Sequence, residues 1–365
     1  MDIVIEITIE KLNQHKIDVE ISFTAPFDSP ILEMPSWTPG SYLIREYARH
    51  VQNLSAFDEN QSKIDNQKVT KNTWLFNAIK GQRIKVQYEV YAFELTVRTS
   101  YLDNRKCLIN PASVCMYITN HGNTQNSKEQ GLKLSFQFPR NWTIFTSLQK
   151  SENYFIAKNF DELVDSPIAI AAQSVINTHE YVYRDNEKDI KNTVAFIGDQ
   201  SNEDLNRFSN DMQKLQDNAV TMFGKLPYDR YLWLVYVTES KGGGLEHKYS
   251  NTSIIRRYSF KDPKKYAKVL SLEAHEHFHS YNIKRIRPKQ LGPFDYSNEV
   301  YTSLLWIAEG LTSFYDTIIL PRSGLLSRKE YWKIFSDDLE RYYQVPGRLV
   351  DSLVSSSFDA WIKLY

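Results

Sequence analysis

Three residues of one short segment have the types and the spacing of a metal site. His275, Glu276 and His279 form a His-Glu-x-x-His sequence. Residues four positions apart lie on the same face of a helix, so the two imidazoles can bind one zinc ion together. The glutamate between them is then placed to act as a general base in hydrolysis. His277 is two positions from each histidine, so it points elsewhere and is not expected to be a ligand.

A third protein ligand must come from another part of the chain, and two glutamates are candidates. Glu309 lies in an apolar stretch with a helical pattern, where a carboxylate is costly unless it is paired or bound to a metal. Glu299 lies in a polar segment that suits the start of that helix and needs no metal. We therefore predict that Glu309 completes the site. Asp316, on a similar helix face, is a candidate partner for one of the ligand imidazoles.

A glycine-rich segment precedes the metal segment. Gly242, Gly243 and Gly244 are followed by Leu245 and Glu246, and the pattern of a phosphate-binding loop is absent. Glycines allow a backbone to approach another group closely, and a glutamate beside them can present its carboxylate to a cationic group. The alternative is a glycine-rich turn with a solvated glutamate.

The elements around these residues divide the chain into two parts, so the predicted fold class is α+β. Residues 1–165 contain short segments that alternate with period two between Pro and Gly turns, which favours a β-sandwich-like N-terminal domain. Residues 166–365 alternate less and contain predicted helices. The metal helix is predicted to begin at Asp262 or Pro263 and to continue to Asn282, while residues 231–237 read as a buried strand.

Composition excludes several other functions. Lys and Arg together number 44, as do Asp and Glu, so the chain lacks the positive excess of a nucleic-acid-binding protein. No apolar run is long enough to cross a membrane, and the N-terminus reads as a strand rather than as a signal peptide. Cys107 and Cys115 imply no disulfide framework. We therefore expect a cytoplasmic protein with no nucleic-acid or membrane partner, and we make no prediction of its oligomeric state.

Several segments together resemble the glycyl aminopeptidase family of zinc metallopeptidases, within the gluzincin group. The segments that carry the resemblance are residues 36–42, 161–167, 243–247, 275–288, 291–296 and 306–315. The resemblance implies a β-rich N-terminal domain and a thermolysin-like, mixed α/β catalytic domain that binds Zn²⁺. It implies His275, His279 and Glu309 as the metal ligands and Glu276 as the general base.

The same resemblance implies a substrate class. Glu246 corresponds to the acidic residue that holds the free α-amino group of a peptide, and Gly243, Gly244, Leu245 and His247 belong to the same substrate-binding segment. We therefore expect an aminopeptidase that acts on peptides with a free N-terminus and a small first residue such as Gly or Ala.

The resemblance also implies that the chain is a truncated member. Members of the family continue with further catalytic helices and usually a PDZ-like domain, so we expect the tyrosine that stabilises the oxyanion to lie beyond Tyr365. Tyr342 and Tyr343 are the nearest candidates within the chain. Two alternatives stay open: a zinc endopeptidase of the same fold, in which Glu246 serves only structure, and an inactive peptide-binding module.

Overall fold

The computed structural model describes residues 3–119, 130–239 and 242–363. It contains two compact units. The first comprises Met1–Ser174 together with Asp295–Glu299, and the second comprises Val175–Phe294 and Val300–Tyr365. The first unit therefore extends a little past the predicted boundary at residue 165, and it includes a short segment from the second half of the chain.

The first unit is built mainly of strands. Its strands and the helix α1 have the following bounds: β1 Ile3–Lys11, β2 Lys16–Thr24, β3 Ile31–Glu33, β4 Val51–Phe57, β5 Lys63–Ile64, β6 Asn66–Lys68, β7 Thr73–Phe76, β8 Arg83–Tyr91, β9 Tyr101–Leu102, β10 Lys106–Ile109, β11 Tyr117–Thr119, β12 Leu132–Gln137, β13 Trp142–Thr146, β14 Gln149–Ser151, β15 Tyr154–Ala157, α1 Phe160–Val164 and β16 Ile168–Ala172. The described strands form an eight-stranded sheet in the order β14-β15-β12-β1-β2-β8-β4-β5 and two four-stranded sheets, β13-β16-β10-β9 and β11-β3-β7-β6. Alternate residues of β1, β2 and β8 are buried, so one face of these strands packs on the core.

The segment Asp295–Glu299 is held in the first unit by specific hydrogen bonds. Tyr296 is fully buried, and its hydroxyl donates to Asp161 Oδ1 at 2.6 Å. Trp37 Nε1 donates to the carbonyl of Asp295 at 2.7 Å. The segment is not helical, so the expectation that Glu299 begins a helix was wrong.

The second unit is a five-stranded sheet with helices. Its strands are β17 Ile176–Arg184, β18 Asp189–Ile197, β19 Arg230–Thr238, β20 Gly243–Glu246 and β21 Ser250–Arg256, in the order β17-β18-β19-β21-β20. β18, β19 and β21 are parallel, and the two edge strands run antiparallel to their neighbours. The helices are α2 Asn202–Phe223, α3 Pro263–Phe278, α4 Leu311–Arg322, α5 Arg328–Gln344, α6 Leu353–Phe358 and α7 Ala360–Lys363.

The core of the second unit fixes helix α3 against the sheet. Phe196 and Trp233 from the sheet pack in one buried cluster with Phe208 of α2 and with Leu270 and Phe278 of α3. The apolar run of β19 is buried along its length, which confirms the buried strand predicted there. The side of α3 that faces the sheet is therefore held by packing, which fixes the position of the helix.

A β-rich first unit followed by a mixed α/β second unit confirms the predicted fold class. Among the described residues, no helix combines the length and the apolar character needed to cross a bilayer.

Candidate metal centre

Helix α3 carries the first two residues of the predicted site. The Asp262 carboxylate accepts from the backbone N–H groups of Lys264 and Lys265, and Pro263 occupies the first turn, as the sequence predicts. The helix ends at Phe278 and not at the predicted Asn282. His279 caps it, and the chain then turns through Ile283, whose φ of 101° is incompatible with a continuing helix.

The predicted ligand atoms lie together. His275 Nε2 and His279 Nε2 are 3.0 Å apart, and Glu309 Oε2 is 3.6 Å from the first and 3.5 Å from the second. Ligand atoms bound at about 2.1 Å to a tetrahedral ion are roughly 3.4 Å apart. Two imidazole nitrogens and one carboxylate oxygen at this spacing fit a zinc ion in type and in position.

Each imidazole is oriented by a hydrogen bond from its other nitrogen. His275 Nδ1 lies 3.0 Å from Asp316 Oδ2, and the second oxygen of Asp316 accepts from Ser271 Oγ at 3.1 Å. His279 Nδ1 lies 2.9 Å from the carbonyl oxygen of Asn282. Because both acceptors require a proton on Nδ1, the Nε2 lone pairs of both rings are directed toward Glu309.

The charges within the cluster favour a cation. Burial alone would lower the pKa of His275, but Asp316 and Glu309 outweigh it and raise that pKa to about 10. Burial also opposes the charged form of His279, whereas Glu246 and Glu309 raise its pKa. Burial disfavours the charged form of Glu309, but the two histidines hold the pKa of its carboxyl far below the usual value. A metal ion must therefore displace protons from a site that already stabilises positive charge.

Glu309 lies on a π-helical turn and not on the ordinary helix that the sequence predicts. The turn spans Trp306–Gly310 and leads directly into α4. Such turns occur often at functional sites because they change which way one side chain points. Asn282 Nδ2 donates to the carbonyl oxygens of Ile307 at 2.8 Å and Ala308 at 3.1 Å, within this turn.

From Gly243 onward the glycine-rich segment is a strand, β20, and not the glycine-rich turn that was the alternative. Gly244 pairs with Ser253 of β21, and Glu246 pairs with Asn251. A β-carbon built on Gly244 would overlap the carboxylate of Glu276. Only glycine therefore allows the strand to pass this close to the predicted general base.

A second group of possible ligand atoms overlaps the first. Glu246, Glu276 and His279 each have one such atom within 4.8 Å of the others. Glu246 is 4% exposed, and no described residue bonds to its buried Oε1. Burial raises the pKa of Glu276, and the nearby His275 and His279 partly oppose that rise. The arrangement places one buried carboxylate, whose Oε1 has no hydrogen-bond partner among the described residues, directly beside the predicted general base.

Other predicted residues have different surroundings. Leu245 is buried but points to the opposite face of β20 from Gly244 and Glu246, because strand residues alternate. Gly243 is half-buried in the same strand. His247 is buried, and its backbone N–H donates to the carbonyl of Ser250 at 2.9 Å.

The remaining candidates do not face the cluster. His277 points away, as predicted, with Nε2 at 2.6 Å from the Tyr228 hydroxyl and its ring stacked on Trp233. Tyr342 and Tyr343 are exposed at the end of α5. No contact between described residues joins either of them to the predicted metal ligands.

Sequence analysis missed two polar residues behind the general base. Glu273 is fully buried, and its Oε2 accepts from Asn251 Nδ2 at 2.6 Å. Burial raises the pKa of Glu273 to about 7. The spacing of Glu273 was the available signal. It precedes Glu276 by about one helical turn, so the two carboxylates lie on a similar side of α3.

Comparison with known proteins places the chain among peptidases. A family model described as the peptidase M61 N-terminal domain matches residues 5–172, and one described as M61 glycyl aminopeptidase matches residues 268–365. Together the two matches cover more than half of the chain. No curated protein sequence matches it.

Solved structures share the fold. An aminopeptidase N family protein from Idiomarina loihiensis superposes over 100% of this chain with a TM-score of 0.90 and 30% identity. The chain spans 62% of the length of that protein. An M1 zinc metallopeptidase from Deinococcus radiodurans gives a TM-score of 0.56 at 8% identity, over 100% of this chain and 78% of its own.

A mutant of the Deinococcus protein bound to a Tyr-Ser-Ala substrate matches equally well, with a TM-score of 0.56 and 9% identity over the same shares of the two chains. At these identities the Deinococcus structures support the fold alone. The family matches, one in each half of the chain, and the Idiomarina structure show more than the fold. They show that the chain belongs to the M61 glycyl aminopeptidase family.

Proposed function

We propose that this chain is a zinc-dependent aminopeptidase that removes the first residue from peptides and prefers Gly or Ala at that position. The observation that carries the proposal is the buried carboxylate of Glu246 beside Glu276 and His279, because its Oε1 has no hydrogen-bond partner among the described residues. The family membership supports the reaction class.

The metal would be held by His275, His279 and Glu309, whose ligand atoms have the spacing of a zinc site. Three protein ligands leave a fourth position open, as catalytic zinc sites require. When bound, zinc would supply the Lewis acidity that polarises the scissile carbonyl and activates water.

Glu276 moves the protons of the reaction. Its carboxylate takes a proton from the attacking water and later returns it to the leaving amine. Burial raises the pKa of Glu276, which brings it nearer to the range in which a carboxylate can accept and release a proton at neutral pH. Gly244 allows the strand to lie against this carboxylate and hold it in place.

Glu246 recognises the free α-amino group. A buried carboxylate oxygen without a hydrogen-bond donor is costly, and the protonated amine of a substrate would supply that donor. Because a carboxylate oxygen of Glu246 lies within 4.8 Å of one of Glu276 and of a ring nitrogen of His279, an amine bound there places the first peptide bond at the reacting groups. An endopeptidase would have no use for such a carboxylate.

Preference for a small first residue follows from the same strand. Gly244 presents backbone rather than a side chain on the face of β20 that carries Glu246, and this close wall favours Gly or Ala over bulky residues. A panel of aminoacyl substrates tests this preference. The kcat/KM of substrates that begin with Gly or Ala should exceed that of substrates that begin with Leu or Phe. Equal values across the panel would contradict the preference.

The decisive experiment compares free and acetylated peptides in wild-type protein and Glu246→Gln. Loss of the charge should lower kcat/KM for free-amino peptides by about 100-fold, because one partner of a buried ion pair is removed. Glu180→Gln, an exposed residue of β17, is the matched control and should change nothing.

Two other outcomes would overturn the proposal. Acetylated peptides cut as fast as free ones, with no effect of Glu246→Gln, would indicate an endopeptidase. A folded protein that binds peptides but holds no zinc and cleaves nothing would indicate a peptide-binding module.

A further inference from the structure

The turn that follows helix α3 joins the two parts of the metal centre through one residue. We infer that Asn282 is a positioning residue that orients His279 with its backbone carbonyl and the Glu309 turn with its side-chain amide. This inference rests on the proposed function, because it concerns the same metal ligands.

The backbone of Asn282 orients the histidine. Its carbonyl oxygen lies 2.9 Å from His279 Nδ1, so it accepts that proton and leaves Nε2 as the ligand atom. Thr312 Oγ1 is a second neighbour of the same nitrogen, at 3.4 Å, and Thr312 is fully buried. The tautomer of His279 is therefore fixed by a group that does not titrate.

The side chain of Asn282 holds the π-helical turn. Nδ2 lies 2.8 Å from the carbonyl oxygen of Ile307, 3.1 Å from that of Ala308 and 3.0 Å from Thr312 Oγ1, so its two N–H groups are shared among these three acceptors. A π-helical turn interrupts the regular helix ladder, and buried carbonyl groups there need donors from elsewhere. A neutral amide supplies two N–H donors from one atom, which a carboxylate cannot do.

Both carbonyl groups lie next to the third ligand in the chain. Ile307 and Ala308 immediately precede Glu309, so a donor that fixes their carbonyls also fixes the direction of the Glu309 side chain. Asn282 thus sets the position of the one carboxylate in the predicted ligand set.

Backbone strain beside Asn282 indicates that the turn has one required shape. Ile283 has a φ of 101°, an unusual value for a β-branched residue. Such strain persists where the surroundings over-determine it, and functional sites are frequent locations. Here Ile283 N–H donates to the carbonyl of Ile286 at 2.9 Å, and Lys284 N–H donates to that of His279 at 3.1 Å.

The two roles can be separated by one substitution. Asn282→Asp keeps the backbone carbonyl and the side-chain shape. It replaces both N–H donors with a carboxylate oxygen, which then faces the oxygen atoms of Ile307, Ala308 and Thr312. His279 should keep its tautomer, while the Glu309 turn loses its anchor. The matched control is Asn186→Asp, because Asn186 Nδ2 also donates to a backbone carbonyl, that of Gly224 at 2.8 Å, in the same unit.

The experiment uses the full chain and three readouts. Zinc affinity is measured by competition with a chelator, coordination geometry by the visible spectrum of the Co²⁺-substituted protein, and folding by thermal unfolding in excess chelator. Asn282→Asp should weaken zinc binding by about 10- to 100-fold and shift the Co²⁺ spectrum. In excess chelator, Asn282→Asp and Asn186→Asp should unfold at similar temperatures. The zinc affinity of Asn186→Asp should match that of the wild type.

Two results would overturn the inference. Asn282→Asp with wild-type zinc affinity and Co²⁺ spectrum would contradict the role of Asn282 alone, whereas a folded wild type that binds no zinc would contradict the proposed function as well. If Asn282→Asp does not fold, Thr312→Val is the second test of the inference. It removes the hydroxyl that accepts from Asn282 Nδ2 and donates to the carbonyl oxygen of Ala308. A folded Thr312→Val protein should bind zinc at least several-fold more weakly, and unchanged binding would refute the inference.

Discussion

His275 and His279 are oriented by chemically different acceptors. His275 Nδ1 faces the carboxylate of Asp316, and His279 Nδ1 faces a neutral backbone carbonyl. A carboxylate strengthens the basicity of the imidazole it contacts, whereas a carbonyl mainly fixes its orientation. The two predicted ligands are therefore not equivalent, and substitutions of their acceptors should have different effects.

Asp316→Asn should weaken zinc binding by about 10- to 100-fold, because His275 loses its charged acceptor while the side-chain shape is kept. Chelator competition measures the affinity. The control is Asp211→Asn, another buried aspartate of the second unit, which accepts from the Tyr266 hydroxyl at 2.8 Å on the same helix as His275. Equal zinc affinities for the two variants would contradict the role of Asp316.

Glu273 should make stability depend on pH. Burial raises its pKa from 4.5 to about 7 in the folded protein, so its contribution is fully present below about pH 4.5 and is lost as pH rises through 7. Glu273→Gln keeps the neutral form at every pH. Relative to the wild type, its free energy of unfolding should rise across this window by up to about 3 kcal/mol.

Chemical denaturation of the two proteins in chelator between pH 4 and pH 8 measures this difference. The chelator matters because zinc binding would add its own pH dependence. A constant difference between variant and wild type over the whole range would show that Glu273 does not change its protonation state there.

At the scale of elements, strand β20 and helix α3 meet at Gly244. A β-carbon at this position would overlap the Glu276 carboxylate, so Gly244→Ala must displace either the strand or the general base. A displacement of about 1 Å in a catalytic group can cost about 100-fold in rate. We expect kcat to fall by that order while zinc content stays unchanged.

Gly347→Ala is the control for this substitution, because a β-carbon there meets only Val345 Cγ1 at an ordinary 3.8 Å. Steady-state kinetics of both variants, with zinc content measured on the same samples, separates a displaced base from a lost metal. A wild-type kcat for Gly244→Ala would show that the close approach is unimportant.

Local patterns predicted some elements well and others not at all. The caps at Asp262 and Pro263 and the apolar run of β19 are local signals, and the structure confirms both elements. The end of α3 was missed because no Gly or Pro marks it, and the turn depends on contacts made by Asn282. Strand β20 was missed because its ladder with β21 is set by pairing and not by its own glycine-rich sequence.

The predicted site residues differ in the same way. His275, Glu276 and His279 follow from spacing alone, and a carboxylate in an apolar stretch indicated Glu309. The contribution of Asn282 has no sequence signal, since half of it comes from a backbone carbonyl and the other half from a π-helical turn. Residues that act through backbone atoms are invisible to a reading of side-chain types.

At the scale of the whole molecule, the three predicted metal ligands all belong to one of the two compact units. His275 lies on helix α3, His279 directly follows it, and Glu309 lies just before α4. The strands β1 to β16 have their own core. The metal should therefore stabilise the second unit specifically.

Chelation should raise hydrogen exchange in α3 and α4 and leave β1, β2 and β8 unchanged. Zinc at 1,000 times its dissociation constant adds about 4 kcal/mol to the stability of the state that binds it, and that protection is lost on chelation. Exchange monitored by mass spectrometry, with and without chelator, measures it. A uniform rise across both units would contradict a local effect of the metal.

The central claim is that His275, His279 and Glu309 bind one zinc ion. Zinc stoichiometry by native mass spectrometry, for wild-type protein and Glu309→Gln purified without chelator, tests it most directly. We predict one zinc ion per wild-type chain and a marked loss of zinc from the variant, with both proteins folded. A wild-type chain without zinc, or a variant that retains a full equivalent, would contradict the claim.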